Sequence, residues 1–287
     1  MKGAHAIPAR FANDWQGIGL APLRAMRAFG MRRSGNHAIA DWILRNVGGS
    51  GSVFLNNCMP AQSPLTSFRA IEVNRQRIPT DDARANLPAS CAPAGPAATI
   101  LITYEDIPPA GQDMRAISGD LEEGFDADII IYRSFLNWSA SLLKKLQKNK
   151  RFANSRRAGI MMRAFGEYSR MLGYVSEADA LSLTPICYDD WLASEVYRAN
   201  RLTGLGLSSL DNSIGATQPY GGGSSFQGSR ADADDLATDR RFEQMADDPD
   251  YRAVLTIAAR DSDLMTRVKS HFPQDVERLS EWVGGQS

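Results

Sequence analysis

Gly30-Met31-Arg32-Arg33-Ser34-Gly35-Asn36-His37 is a segment of this 287-residue chain whose residue types and spacing could do chemistry. Two glycines let a backbone curl closely around a ligand, and two adjacent arginines supply charge and forked hydrogen bonds. The segment follows a mostly apolar run, Leu23 to Met31. It precedes Asn36 to Val47, where Ile39, Trp42, Ile43 and Val47 recur at helical spacing until Gly48-Gly49. In a strand–turn–helix of this kind the N–H groups of the turn and of the helix start converge on one volume. The helix dipole adds positive potential there, so an anion, most often a phosphate, is the natural occupant. The spacing is the GxxxxG of a P-loop, but Asn36-His37 stands where Lys-Ser/Thr would follow, so the usual magnesium-binding hydroxyl is missing. The plainer alternative is a tight turn carrying two solvated arginines.

A second constellation lies near the middle of the chain. Asp128 to Tyr132 is a continuous β-branched run, Arg133 ends it, and Ser141 follows eight residues later on the next helix. Both side chains could reach one anion at the carboxyl edge of a sheet, where open α/β folds bind their ligands. Taken singly, Arg133 reads as a surface ion-pair partner and Ser141 as a solvated position. Glu105-Asp106 ends a third apolar run, Ala97 to Tyr104, and offers carboxylates for general-base work. Neighbouring strand residues face opposite ways, so only one of the two is expected to face the site. Glu105 is the first candidate, Asp106 the second and His37 the third. The alternative is that both acids cap the next segment.

These residues need a scaffold, and the pattern of elements supplies one. Strands are expected at Leu23 to Met31, Ser52 to Leu55, Ala97 to Tyr104, Asp128 to Tyr132 and Leu183 to Tyr188. Helices are expected at Asn36 to Val47, Leu136 to Gln147, Ser155 to Leu172 and Trp191 to Leu202. Strands alternating with helices imply a three-layer α/β/α fold with a central parallel sheet, of the P-loop nucleotide-binding type. Cys58 to Gly95 reads as loop with one helix near Ser67 to Arg75. Residues 1–21 read as an N-terminal arm, and 22–287 as a single domain whose C-terminal part, about Asp239 to Val283, is helical. Residues 204–230 are Gly/Ser-rich and read either as a flexible linker or as a loop closing over a ligand.

RRSGNHA after a first strand and IIIYRSFLNWSAS after a central one resemble the two PAPS-binding segments of the sulfotransferases. The resemblance covers roughly Arg27 to Leu146 and, more loosely, the Gly/Ser-rich loop. It implies 3′-phosphoadenosine 5′-phosphosulfate (PAPS) as donor, the 3′,5′-bisphosphate PAP as product, and no metal. It also implies that Arg33 takes the place of the loop lysine beside the leaving phosphate. Arg32, Ser34, Gly35, Asn36, His37 and Ala38 would complete the 5′-phosphosulfate cradle, and Arg133 and Ser141 would clamp the 3′-phosphate. Ser224, Ser225, Phe226 and Arg230 would belong to a covering loop. Three departures mark a divergent, bacterial-type branch. Arg33 replaces a point charge by a planar fork, Asn36-His37 replaces two hydroxyl residues, and Ala38 replaces an aromatic. Tyr188-Asp189-Asp190-Trp191 resembles an element that is structural in the family, and no chemistry is assigned to it.

Composition narrows the alternatives. Lys+Arg total 32 against 33 Asp+Glu, so no global basic field points to nucleic acid. Hydrophobic residues at 43% and charged residues at 23% are ordinary globular usage and exclude fibrous or disordered classes. No run is apolar for long enough to span a bilayer, the first residues have no secretory apolar core, and three cysteines are too few for a disulfide framework. A cytoplasmic protein is the expectation. The expected acceptor is a carbohydrate or other small metabolite. Nine basic residues between Lys144 and Arg170, against Glu167 alone, could attract an anionic one or could form a solvated helix face. Oligomeric state is not legible. Two other classes stay open: a P-loop kinase or nucleotide hydrolase, and a non-catalytic nucleotide-binding protein.

Overall fold

Apolar runs that bury both faces of a strand require cover on both sides, and that requirement shapes this molecule. The computed structural model describes residues 15–109, 115–118, 125–215 and 240–284. Its strands are β1 (Arg24–Gly30), β2 (Ser52–Asn56), β3 (Ala70–Val73), β4 (Gln76–Ile78), β5 (Thr99–Glu105), β6 (Ala127–Tyr132) and β7 (Leu183–Cys187). They form one sheet in the order β4-β3-β2-β5-β1-β6-β7. Strands β2, β5, β1, β6 and β7 pair in parallel.

The principal helices are α1 (Asn36–Arg45), α2 (Phe135–Gln147), α3 (Asn154–Ser176), α4 (Tyr188–Ala193), α5 (Glu195–Gly204), α6 (Pro249–Ala258), α7 (Ser262–His271) and α8 (Pro273–Gly284). Alternate strand residues divide the core. Met26, Ala28, Ile129 and Ile131 join Ile39, Trp42 and Ile43 of α1 and Trp191 of α4 on one face. Phe29, Ile100 and Ile102 face the other way, towards Phe68, Leu87 and Cys91. Ile130 packs against Trp138, Phe165, Leu172 and Leu264 of the helices beyond. No helix among the described residues is long and apolar enough to cross a membrane.

Three expectations need correction. The sheet is mixed, not parallel throughout: β3 and β4 are an antiparallel hairpin added beside β2 where a helix over Ser67 to Arg75 was expected. Its turn is Asn74-Arg75, with φ of 51° and 64°. That is a two-residue turn with both central residues left-handed, and arginine in place of the customary glycine conceals it. The helix expected over Trp191 to Leu202 is two helices, because Ser194 is extended and its hydroxyl accepts the Tyr197 N–H at 3.1 Å to start α5. Residues 15–21 are not an arm, since Trp15, Ile18 and Leu20 are buried in the core and the Ala21 N–H donates to the Pro96 carbonyl at 2.6 Å.

Candidate functional site

Pairing register brings the chemistry to one edge. Gly30, the last residue of β1, lies opposite Glu105 of β5 on one side and Ile131 of β6 on the other. The loop after β1, the pair Glu105-Asp106 and the corner at Arg133 therefore leave the sheet side by side. They do so at its carboxyl edge, where the chain changes direction about β1, the position at which open α/β sheets bind ligands.

The loop from Met31 to Gly35 is shaped by backbone that side chains resist. Arg33 has φ 74° and Gly35 φ 91°, and the Ser34 N–H closes the turn on the Met31 carbonyl at 3.1 Å. A Cβ on Gly35 would lie 2.0 Å from the Tyr188 ring, and one on Gly30 would lie 2.3 Å from Asn36 Oδ1. Glycine is required at Gly35, where φ is positive and the ring is rigid, while a side chain at Gly30 would displace the Asn36 amide. Asn36 begins α1 and turns its amide back to donate to the Met31 carbonyl at 3.2 Å. Ser34 is fully buried, and its hydroxyl has no hydrogen-bond partner among the described residues. The Asn36 side-chain oxygen is likewise buried without one among them. Orphaned buried groups at a helix start leave hydrogen-bonding capacity that a polar ligand could use. Ala38 takes part only through its backbone, donating to the Gly35 carbonyl at 3.0 Å.

The two loop arginines have different roles. Arg32 is half exposed and is tied to Asp106, which accepts from its guanidinium and, at 2.8 Å, from its backbone N–H. Its carbonyl accepts the Trp138 indole N–H at 3.0 Å. Arg33 turns inward, where burial and then the neighbouring Arg133 press its pKa below the usual arginine value. Arg133 donates to the Arg33 carbonyl at 3.1 Å and lies 3.5 Å from Ser141 Oγ. Its guanidinium covers the Tyr188 ring, 4.9 Å from the centroid. The eight-residue spacing thus brings Arg133 and Ser141 together, and both are buried.

Glu105 sits across from them. Asn57, itself left-handed at φ 51°, donates its amide to Glu105 Oε2 at 3.1 Å, and the other oxygen lies 3.8 Å from His37 Nε2. Burial, and then Asp106, raise the Glu105 pKa, with Arg32, Asn36 and Arg33 offsetting part of the rise. Burial, then Arg33 and Arg77, push His37 down to about 4. His37 is therefore neutral at pH 7, and its contact with Glu105 is not an ion pair. Asp106 reaches the loop as well, because φ of 59° turns it back past the strand end, but its carboxylate serves Arg32.

Reasoning from sequence did not find Asn57, Tyr188, Trp138 or Lys145, whose pKa is lowered by burial and then by Arg33. Trp138, Tyr188 and Lys145 stand in segments that the sequence singles out, but no role followed from their spacing; Asn57 belongs to no such segment. The basic stretch is partly engaged within the fold: Arg157 pairs with Asp250 at 2.9 Å and Arg170 with Glu167. Ser224, Ser225, Phe226 and Arg230 lie outside the described residues. Comparison with family models, with curated proteins and with solved structures found no match for this chain.

Proposed function

We propose that this protein is a sulfotransferase, moving a sulfuryl group from PAPS to a hydroxyl of a carbohydrate or other small metabolite. The observation that carries the reading is the juxtaposition, on three adjacent strand ends, of a glycine-shaped anion cradle, a buried Arg133–Ser141 pair and a carboxylate of raised pKa. The residues suit the donor. A side chain at Gly30 or Gly35 would meet its neighbours, and buried Ser34, next to Arg33 in the chain, has a hydroxyl unengaged among the described residues. The N–H groups of Gly35, Asn36 and His37 with Arg33 would hold the 5′-phosphosulfate, and Arg133 with Ser141 the 3′-phosphate. PAPS supplies the activated sulfuryl group.

Within this reading Glu105 removes the proton from the acceptor hydroxyl as its oxygen bonds to sulfur. Arg33 stabilises the negative charge left on the phosphate when the sulfur–oxygen bond breaks. The raised pKa brings Glu105 nearer the range in which a general base is effective, and Asn57 fixes one of its oxygens. Neutral His37 lies beside it without adding a competing charge.

The test is thermal unfolding without magnesium, in the presence of PAP, ADP or AMP. PAP at 100 times its Kd is expected to add about 2.7 kcal/mol, and the others much less at equal concentration. An equal shift with ADP, or a requirement for magnesium, would favour a kinase or hydrolase. Glu105→Gln is expected to keep PAP binding and lose turnover. Unchanged turnover would remove Glu105 from the chemistry.

A further inference from the structure

The backbone corner at residues 133–136 is gripped by four elements distant from it in sequence. Tyr168 of α3 donates its hydroxyl to the Arg133 carbonyl at 2.6 Å. Asp189 of α4 accepts the Ser134 N–H at 2.7 Å. Asp275, in the first turn of α8, accepts from the Ser134 hydroxyl at 2.8 Å and from the Leu136 N–H at 3.1 Å. Tyr251 of α6 donates to the Leu136 carbonyl at 2.7 Å. Asp275, Tyr168 and Tyr251 are all buried.

Asp275 is the member that a helix cap alone does not explain. Ser134 already caps α2 through its own oxygen, which accepts the Asn137 N–H at 3.5 Å. Burying a second carboxylate against the same corner is costly unless its hydrogen bonds serve a purpose. What Asp275 restrains is the direction of the Ser134 side chain and the first turn of α2, immediately after Arg133 and one helix face before Ser141.

We propose that Asp275 is a positioning residue for Arg133, through which the C-terminal helix α8 holds the guanidinium in register with Ser141 at the 3′-phosphate site. The inference rests on the function proposed above. It makes the helical C-terminal part a determinant of which nucleotides bind.

The experiment is calorimetric titration of the full chain with PAP and with AMP, without magnesium, in wild type, Asp275→Ala, Asp275→Asn and Ser134→Ala. Loss of a charge-assisted brace in Asp275→Ala should lower the PAP-over-AMP preference about tenfold, with AMP affinity within about twofold of wild type. Asparagine can still accept both hydrogen bonds and should keep the preference within about twofold of wild type. A general loosening would weaken both nucleotides alike, and that result, or an unaltered preference, overturns the positioning role. If Asp275→Ala does not fold, Ser134→Ala decides. It should lose about threefold of the preference for PAP, and an intact preference overturns the proposal. A wild type that binds PAP and AMP equally overturns the proposed function itself, which distinguishes that failure from this one.

Discussion

Ser34, one residue before the Gly35 cap of α1, and Ser134, itself the cap of α2, lie in the turns of two strand–turn–helix units that leave neighbouring strands of the same sheet, and their surroundings are opposite. Ser34 is fully buried with a hydroxyl unpartnered among the described residues, in a loop held by left-handed backbone at Arg33 and Gly35. Ser134 is buried with its N–H accepted by Asp189 and its hydroxyl by Asp275. The first unit keeps polar capacity in reserve, as a site that receives an anion must. The second uses its capacity internally, and what it holds in place is Arg133. Under the proposed function, such an edge would separate reception from alignment: one turn would meet the ligand, and the next would fix a charge beside it.

The comparison breaks first at Gly35. Alanine there combines a disfavoured φ with a Cβ 2.0 Å from the Tyr188 ring, so Gly35→Ala should cost about 3 kcal/mol or more in chemical denaturation. A near-neutral result would mean that the loop is not shaped as described. Gly166→Ala, in an open position on α3, is the control and should not destabilise.

Acid titration is the next largest effect, because His37 and Asp275 pull stability in opposite directions; Glu105, raised by burial first, acts in the same direction as Asp275. His37 is lowered from 6.5 to about 4 by burial first, so the unfolded chain binds its proton more readily. Its stabilising contribution is complete above pH 6.5 and is lost as pH falls towards 4. Asp275 is raised from 3.8 to about 6 by burial first, so its contribution is complete below 3.8 and is lost as pH rises through 6. Asp189, also raised, acts in the same direction as Asp275; it and the buried Tyr168 and Tyr251 hydroxyls are the titratable groups facing that carboxyl. Between pH 7 and 4 the wild type should show partial cancellation. Asp275→Asn should lose stability more steeply on acidification, and His37→Gln should lose less or gain. Identical pH profiles in the two variants would contradict the opposition.

The smallest effect separates the serines directly. Ser134→Ala should cost about 1–2 kcal/mol, since a cap and a buried hydrogen bond both disappear. Ser34→Ala removes a hydroxyl with nothing to lose and should change stability by less than about 0.5 kcal/mol. Its effect belongs to PAP affinity instead. Equal costs at both positions would erase the distinction between the two turns.

How far the sequence could be read follows the same division. The Arg133–Ser141 contact was legible because strand, turn and helix fix an eight-residue spacing locally, and Glu105 was legible as the end of an apolar strand. Asp275 and Tyr188 were not, since each reaches the site only through tertiary packing, Asp275 from more than a hundred residues away. The β3–β4 hairpin escaped because Asn74-Arg75 lacks the glycine that marks such turns. Trp15, Ile18 and Leu20 escaped because they are interleaved with glycines and too few to show a period. The expected parallel sheet was right for the five strands that carry the site and wrong at the edge that does not.

The most direct test of the central claim is a crystal structure of the full chain with PAP bound in the absence of magnesium. The account requires the 5′-phosphate in the loop from Met31 to His37, and the 3′-phosphate within hydrogen-bond reach of Arg133 and Ser141. A nucleotide whose 3′-phosphate lies elsewhere, or one that leaves the Gly30–His37 loop empty, would contradict it.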